Sequence, residues 1–87
     1  MTDAARFRTE TLEWIQEKLL PPGTYADEST ELFASGLIDS IRILKLLAWT
    51  ESRIGRRIAD DEIRMDNFVS VRRMAEVFVP EVHHVGP

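Results

Sequence analysis

The pair Asp39–Ser40, with Gly36, Leu37 and Ile38 ahead of it and Ile41 behind, is the segment whose residue types and order could support chemistry. A serine at the start of a helix stands among free backbone N–H groups and the positive end of the helix dipole, so a phosphate ester on its oxygen is stabilised there. The hydroxyl alone is a weak nucleophile, and no histidine lies near it in sequence to take its proton. Its activation must be borrowed from another protein. Gly36 permits a sharp turn, and Leu37 and Ile38 can anchor the loop so that Asp39 and Ser40 face outward. Other reactive residues form poorer sets. His83 and His84 are adjacent and lack a third ligand, so no metal site is expected there. Asp60, Asp61, Glu62 and Asp66 lack the alternate-position ligands and central glycine of a calcium loop, and acids at a helix start explain them better.

The whole composition narrows the classes of function. The chain has 87 residues, enough for one modest core and too few for an enzyme with its own deep cleft. It contains no cysteine, which excludes a disulfide framework, a thiolate zinc site and a cysteine nucleophile. Any thiol chemistry must be attached from outside. The formal charge of -4 argues against nucleic acid, whose binding draws on clustered Lys and Arg. That charge is uneven: residues 1–40 carry three basic and eight acidic side chains, residues 41–87 eight basic and seven acidic. No apolar run is long enough to span a bilayer, and the segment from Met1 to Arg8 lacks the order of a secretory signal. A cytoplasmic location, no membrane partner and a monomeric state are the expectations.

The elements that must position Ser40 are helical. Ala5, Leu12, Ile15 and Leu19 recur at helical spacing, which predicts a helix from about Asp3 to Leu20, ended by Pro21, Pro22 and Gly23. From Thr24 to Asp39 there is no sustained period. This predicts a long loop tied down by Leu32, Phe33, Leu37 and Ile38, delivering the chain to Ser40. Ser40 to about Ile54 is predicted as the strongest helix, with Ser40 as its N-cap, Ile43, Leu44, Leu47 and Ile54 as the core stripe, Leu46 beside it, and Gly55 as its end. Asp60, Asp61 and Glu62 ahead of Ile63 and Met65 predict a short third helix. Ser70 is expected to cap a last helix in which Val71, Met74, Ala75 and Phe78 share a face, stopped by Pro80. The expectation is a small all-α four-helix bundle of three longer helices and one short one, forming one domain over 1–87 with a core at about 4–79 and a flexible tail at 80–87.

The run Gly36–Leu37–Ile38–Asp39–Ser40–Ile41, followed by an amphipathic helix, resembles the attachment motif of acyl and peptidyl carrier proteins. The resemblance extends over roughly residues 4–79: Leu32, Phe33 and Gly36 look like the family's loop anchors, Arg57 and Ile58 end the next segment where the family places an apolar residue, and Asp66 to Val71 looks like its entry to the last helix. It implies that Ser40 receives 4'-phosphopantetheine from coenzyme A through a separate phosphopantetheinyl transferase, with Asp39 helping to position the magnesium-bound complex. It further implies a non-catalytic carrier of thioesters, served by an adenylating or acyl-loading ligase and by downstream tailoring or condensing enzymes. Arg42 and Lys45, where fatty-acid carriers are typically acidic, lean it toward the discrete carriers of nonribosomal peptide or polyketide metabolism. A D-alanine or fatty-acid carrier is the alternative.

The second helix also offers an outward face. Ile41, Lys45 and Ala48 are spaced by four and three, with Arg42 nearby and Leu37 just ahead, so these residues are the expected partner-binding surface. Two readings of other classes compete. One is a helical adaptor in which Ser40 is a helix cap or a phosphorylation site. The other is a helix-turn-helix regulator using Arg53, Arg56 and Arg57, which the charge and the lack of a recognition helix disfavour. Trp14 and Trp49 are expected in packing rather than in stacking on bases.

Overall fold

A computed structural model describes residues 3–80. Among them are three α-helices and no strand: α1 Ala4–Lys18, α2 Arg42–Ile54 and α3 Val71–Phe78. The expected short third helix is instead two 3-10 turns, Asp60–Glu62 and Met65–Phe68. Asp60, Asp61 and Glu62 begin a turn that Glu62 closes on itself: its carboxylate accepts the Ala59 N–H at 3.0 Å, and Arg56 donates to the same carboxylate at 3.0 and 3.1 Å. The tail expected to be flexible lies, apart from Pro80, outside the described residues.

Local signals account for the helix ends. Asp3 accepts the Arg6 N–H at 2.7 Å to open α1, and Ser70 accepts the Arg73 N–H at 3.1 Å to open α3. Gly55 closes α2 in the left-handed conformation at φ 74, returning its N–H to the Glu51 carbonyl. The last helix turns the face that its spacing predicts: Val71, Met74, Ala75 and Phe78 are all buried, and Phe78 meets Phe68 with ring centroids 5.2 Å apart.

Two helices are rotated from the expected faces. In α1 the buried residues are Ala4, Phe7, Thr11 and Ile15, with Leu19 beyond them; Leu12 is half-buried and Ala5 is exposed. In α2 the buried residues are Leu46 and Thr50, whereas Leu44 is 65% exposed and Ile43, Leu47 and Ile54 are only partly covered. The physical reason is the contact with α1. Trp49 stacks on Trp14 with centroids 4.9 Å apart and planes 11° from parallel, and its indole N–H donates to Thr11 Oγ1 at 3.1 Å. Arg53, one turn on, pairs with Glu10 and lies over the Trp49 ring. Leu46, Trp49, Thr50 and Arg53 therefore form the inward face. Thr50 is tolerated there because its hydroxyl donates to the Leu46 carbonyl at 2.8 Å and so is not buried unpaired.

The long loop is held at several points. The Gln16 carboxamide donates to the Thr24 carbonyl and accepts from the Ala26 N–H. Glu28 stands between Arg8 and Arg72, 3.4 Å from each. Leu32, fully buried, donates its N–H to the Val69 carbonyl at 2.8 Å, and its own carbonyl accepts from Ile38 at 3.0 Å. Leu32 and Ile38 are the deep anchors, with Phe33 and Leu37 partly buried around them. Between the anchors Gly36 turns the chain at φ 79, a left-handed value that a side chain would strain.

Candidate functional site

The loop delivers Asp39 and Ser40 to the surface immediately before α2, both exposed. Here the expected N-cap is corrected. The helix starts at Arg42, and Asp39 rather than Ser40 satisfies its first turn: Asp39 Oδ1 accepts the Ile41 N–H at 3.0 Å and the Arg42 N–H at 2.8 Å. The other oxygen, Oδ2, accepts from the Arg42 guanidinium at 3.3 Å. The carboxyl is held below its ordinary value of 3.8, chiefly by the Arg42 N–H; desolvation opposes this, and the Ile41 N–H and the Arg42 charge add smaller downward effects. Asp wins the cap because its carboxylate, one residue further from the helix than Ser40, reaches two donors at once and carries the charge that a helix start favours.

Ser40 is left with an exposed hydroxyl that hydrogen-bonds to none of the described residues. It stands at the rim of a groove of about 430 Å³ whose walls are Phe33, Ile38, Ile43, Ile63, Met65 and Phe68, with Asp39 and Arg64 sharing the rim. That size falls within the range of pockets that enclose organic ligands, roughly 300–1,000 Å³, and the lining is of the apolar kind such pockets use. The walls come from the loop anchors, the first turns of α2 and the 3-10 segment. Ile63, between the two short turns, and Met65, at the start of the second, line this groove together with Ser40.

The residues expected to meet partners fall on one exposed region. Ile41 is 71% exposed, Arg42, Lys45 and Ala48 are exposed, and Leu37 is half-buried at the end of the loop. Leu44 joins them, as do Ile63 (42%) and Met65 (65%), which lie around the groove. Sequence reasoning missed Leu44 because it assigned that residue to the core. The signal was present: Ile41, Leu44 and Ala48 are spaced three and four apart and make an apolar stripe of their own.

No described side chain supplies a base for Ser40: Asp39 has both oxygens engaged, and the two histidines lie outside the described residues. No group of three or more potential metal ligands occurs among the described residues. Arg53 and Arg56 are engaged with Glu10 and Glu62. No helix among the described residues is long and apolar enough to cross a membrane. No protein-family model matches this chain, and no curated protein matches it in sequence.

Proposed function

We propose that this protein is a non-catalytic carrier that receives 4'-phosphopantetheine on Ser40 and presents acyl or aminoacyl groups as thioesters. The observation that carries this reading is the division of labour between neighbours: Asp39 caps α2, so Ser40 keeps an exposed, unbonded hydroxyl at the edge of an apolar groove. A serine serving as a helix cap would have its oxygen on a backbone N–H, whereas here Asp39 takes the N–H groups of the first turn.

The roles are those that the resemblance implies. In the transfer, Ser40 Oγ bonds to the pantetheine-side phosphorus, the pyrophosphate P–O bond of coenzyme A breaks to release adenosine 3',5'-bisphosphate, and the hydroxyl proton passes to a base on the transferase. Asp39, on a loop fixed by Leu32 and Ile38, supplies an exposed carboxylate beside the nucleophile for the transferase's magnesium-bound complex. The attached arm supplies a thiol to a chain without cysteine and holds its cargo at high effective concentration near each partner. Support for the carriers of peptide or polyketide metabolism, rather than fatty-acid ones, comes from Arg42 and Lys45 on the exposed face of α2. Loading ligases and condensing or tailoring enzymes are the expected partners, meeting Ile41, Leu44 and Ala48.

The test is direct. With coenzyme A, magnesium and a broad-specificity phosphopantetheinyl transferase, the intact mass should rise by one phosphopantetheine, and Ser40→Ala should show no gain. An unmodified wild type under conditions that convert a control carrier, or attachment at another serine, overturns the proposal.

A further inference from the structure

A phosphate ester at a helix start is ordinarily met by the free N–H groups of the first turn. In this protein those donors are taken. The Ile41 and Arg42 N–H groups bond Asp39 Oδ1, the Ile43 N–H bonds the Asp39 carbonyl at 3.1 Å, and the Leu44 N–H bonds the Ile41 carbonyl at 3.2 Å. A second negative charge on Ser40 would also stand next to the Asp39 carboxylate. Apart from the N–H of Ser40 itself, the anion's partner is therefore a side-chain cation.

Two are near. Arg42 is committed to Asp39, which stays charged. Arg64 lines the same groove as Ser40, and its ion-pair partner among the described residues, Asp66, is 3.7 Å away, beyond hydrogen-bond reach, with the two side chains 67% and 81% exposed. Such a pair holds a guanidinium weakly. The backbone beneath Arg64 is fixed. Its N–H donates to the Glu62 carbonyl at 2.9 Å, its carbonyl accepts from the Asn67 N–H at 2.9 Å, and Asn67 Nδ2 donates to the Glu62 carbonyl at 2.9 Å. A planar guanidinium with several donors matches a phosphate better than an ammonium does.

We infer that Arg64 is the anion-binding residue of this site, closing across the rim of the groove onto a phosphate carried by Ser40. This rests on the reading of Ser40 as the attachment point. It assigns the anion-binding work to the 3-10 segment rather than to the helix start.

The probe is the full chain with phosphoserine genetically encoded at position 40, titrated by 31P NMR at low salt, so the outcome does not depend on any transferase. A nearby cation favours the phosphate dianion and lowers its titration midpoint, so Arg64→Gln should raise that midpoint by about half a pH unit. Arg64→Lys should keep part of the effect, and Arg42→Gln should raise the midpoint by less than Arg64→Gln does. The difference between wild type and Arg64→Gln should shrink in 0.5 M salt. Circular dichroism of each variant checks that α2 and α3 are intact, as expected for an exposed arginine. An unchanged midpoint in Arg64→Gln, or an equal or larger shift in Arg42→Gln, overturns the inference. The mass experiment above judges the carrier reading separately.

Discussion

Asp39 and Arg42 hold each other twice at the start of α2: Oδ1 of Asp39 accepts the Arg42 N–H at 2.8 Å, and Oδ2 accepts from its guanidinium at 3.3 Å. Ser40, between them, takes part in neither contact. The residue that starts the helix and the residue that offers a reactive oxygen are thus different, and each can be changed without removing the other.

Replacing Asp39 by Ala should lower the melting temperature by about 4–8 °C, the usual effect of losing a cap in a domain of this size. Ser40→Ala should leave it within about 2 °C, since its hydroxyl bonds no described residue. Thermal unfolding followed by circular dichroism decides between them. Equal losses in the two variants would return the cap to Ser40.

Stability should also depend on pH through Asp39 and Glu62. Both carboxyls are held below their ordinary values of 3.8 and 4.5, Asp39 chiefly by the Arg42 N–H and Glu62 chiefly by the Arg56 guanidinium. A group with a depressed folded-state value contributes stability above its unfolded value and loses it as pH falls through the folded one. Denaturant midpoints should therefore be flat above about pH 5 and decline below about pH 4.5. In Asp39→Asn the decline should be shallower; an identical acid limb would remove Asp39 from the account.

The rotation of α2 makes a sharp contrast between two leucines. Leu46 is fully buried and Leu44 is 65% exposed. Urea unfolding should show Leu46→Ala destabilised by about 2–5 kcal/mol and Leu44→Ala changed by no more than about 0.5 kcal/mol. The reverse order would restore Leu44 to the core.

On the exposed face, Ile41→Asp and Leu44→Asp should each slow loading by a cognate ligase about tenfold with folding intact, because apolar anchors dominate such contacts. Reversing Arg42 and Lys45 to glutamate should slow cognate loading and speed acylation by a fatty-acid enzyme, most clearly at low salt. Unchanged rates for both enzymes would mean that α2 does not choose partners by charge.

Much of this protein was legible in its sequence, and the reasons are local. Pro21 and Pro22 stop α1, Gly55 closes α2, and Ser70 opens α3 over a stripe read correctly as Val71, Met74, Ala75 and Phe78, because these effects act within one turn of chain. The loop anchors Leu32 and Ile38 were legible as apolar residues in a polar run, and the outward placement of Asp39 and Ser40 followed from them. The rotation of α1 and α2 was not. Ile43, Leu44, Leu46 and Leu47 form an apolar arc wide enough to allow more than one face inward, and only the stacking of Trp49 on Trp14, 35 residues away, selects Leu46 and Thr50. Nor could spacing tell that Asp39 would take the cap from Ser40, or that the acids at 60–62 would make a 3-10 turn. Those outcomes depend on which donors the tertiary fold brings within reach of each oxygen, and the groove beside Ser40 is lined jointly by Ile63 and Met65 and by residues twenty or more positions earlier.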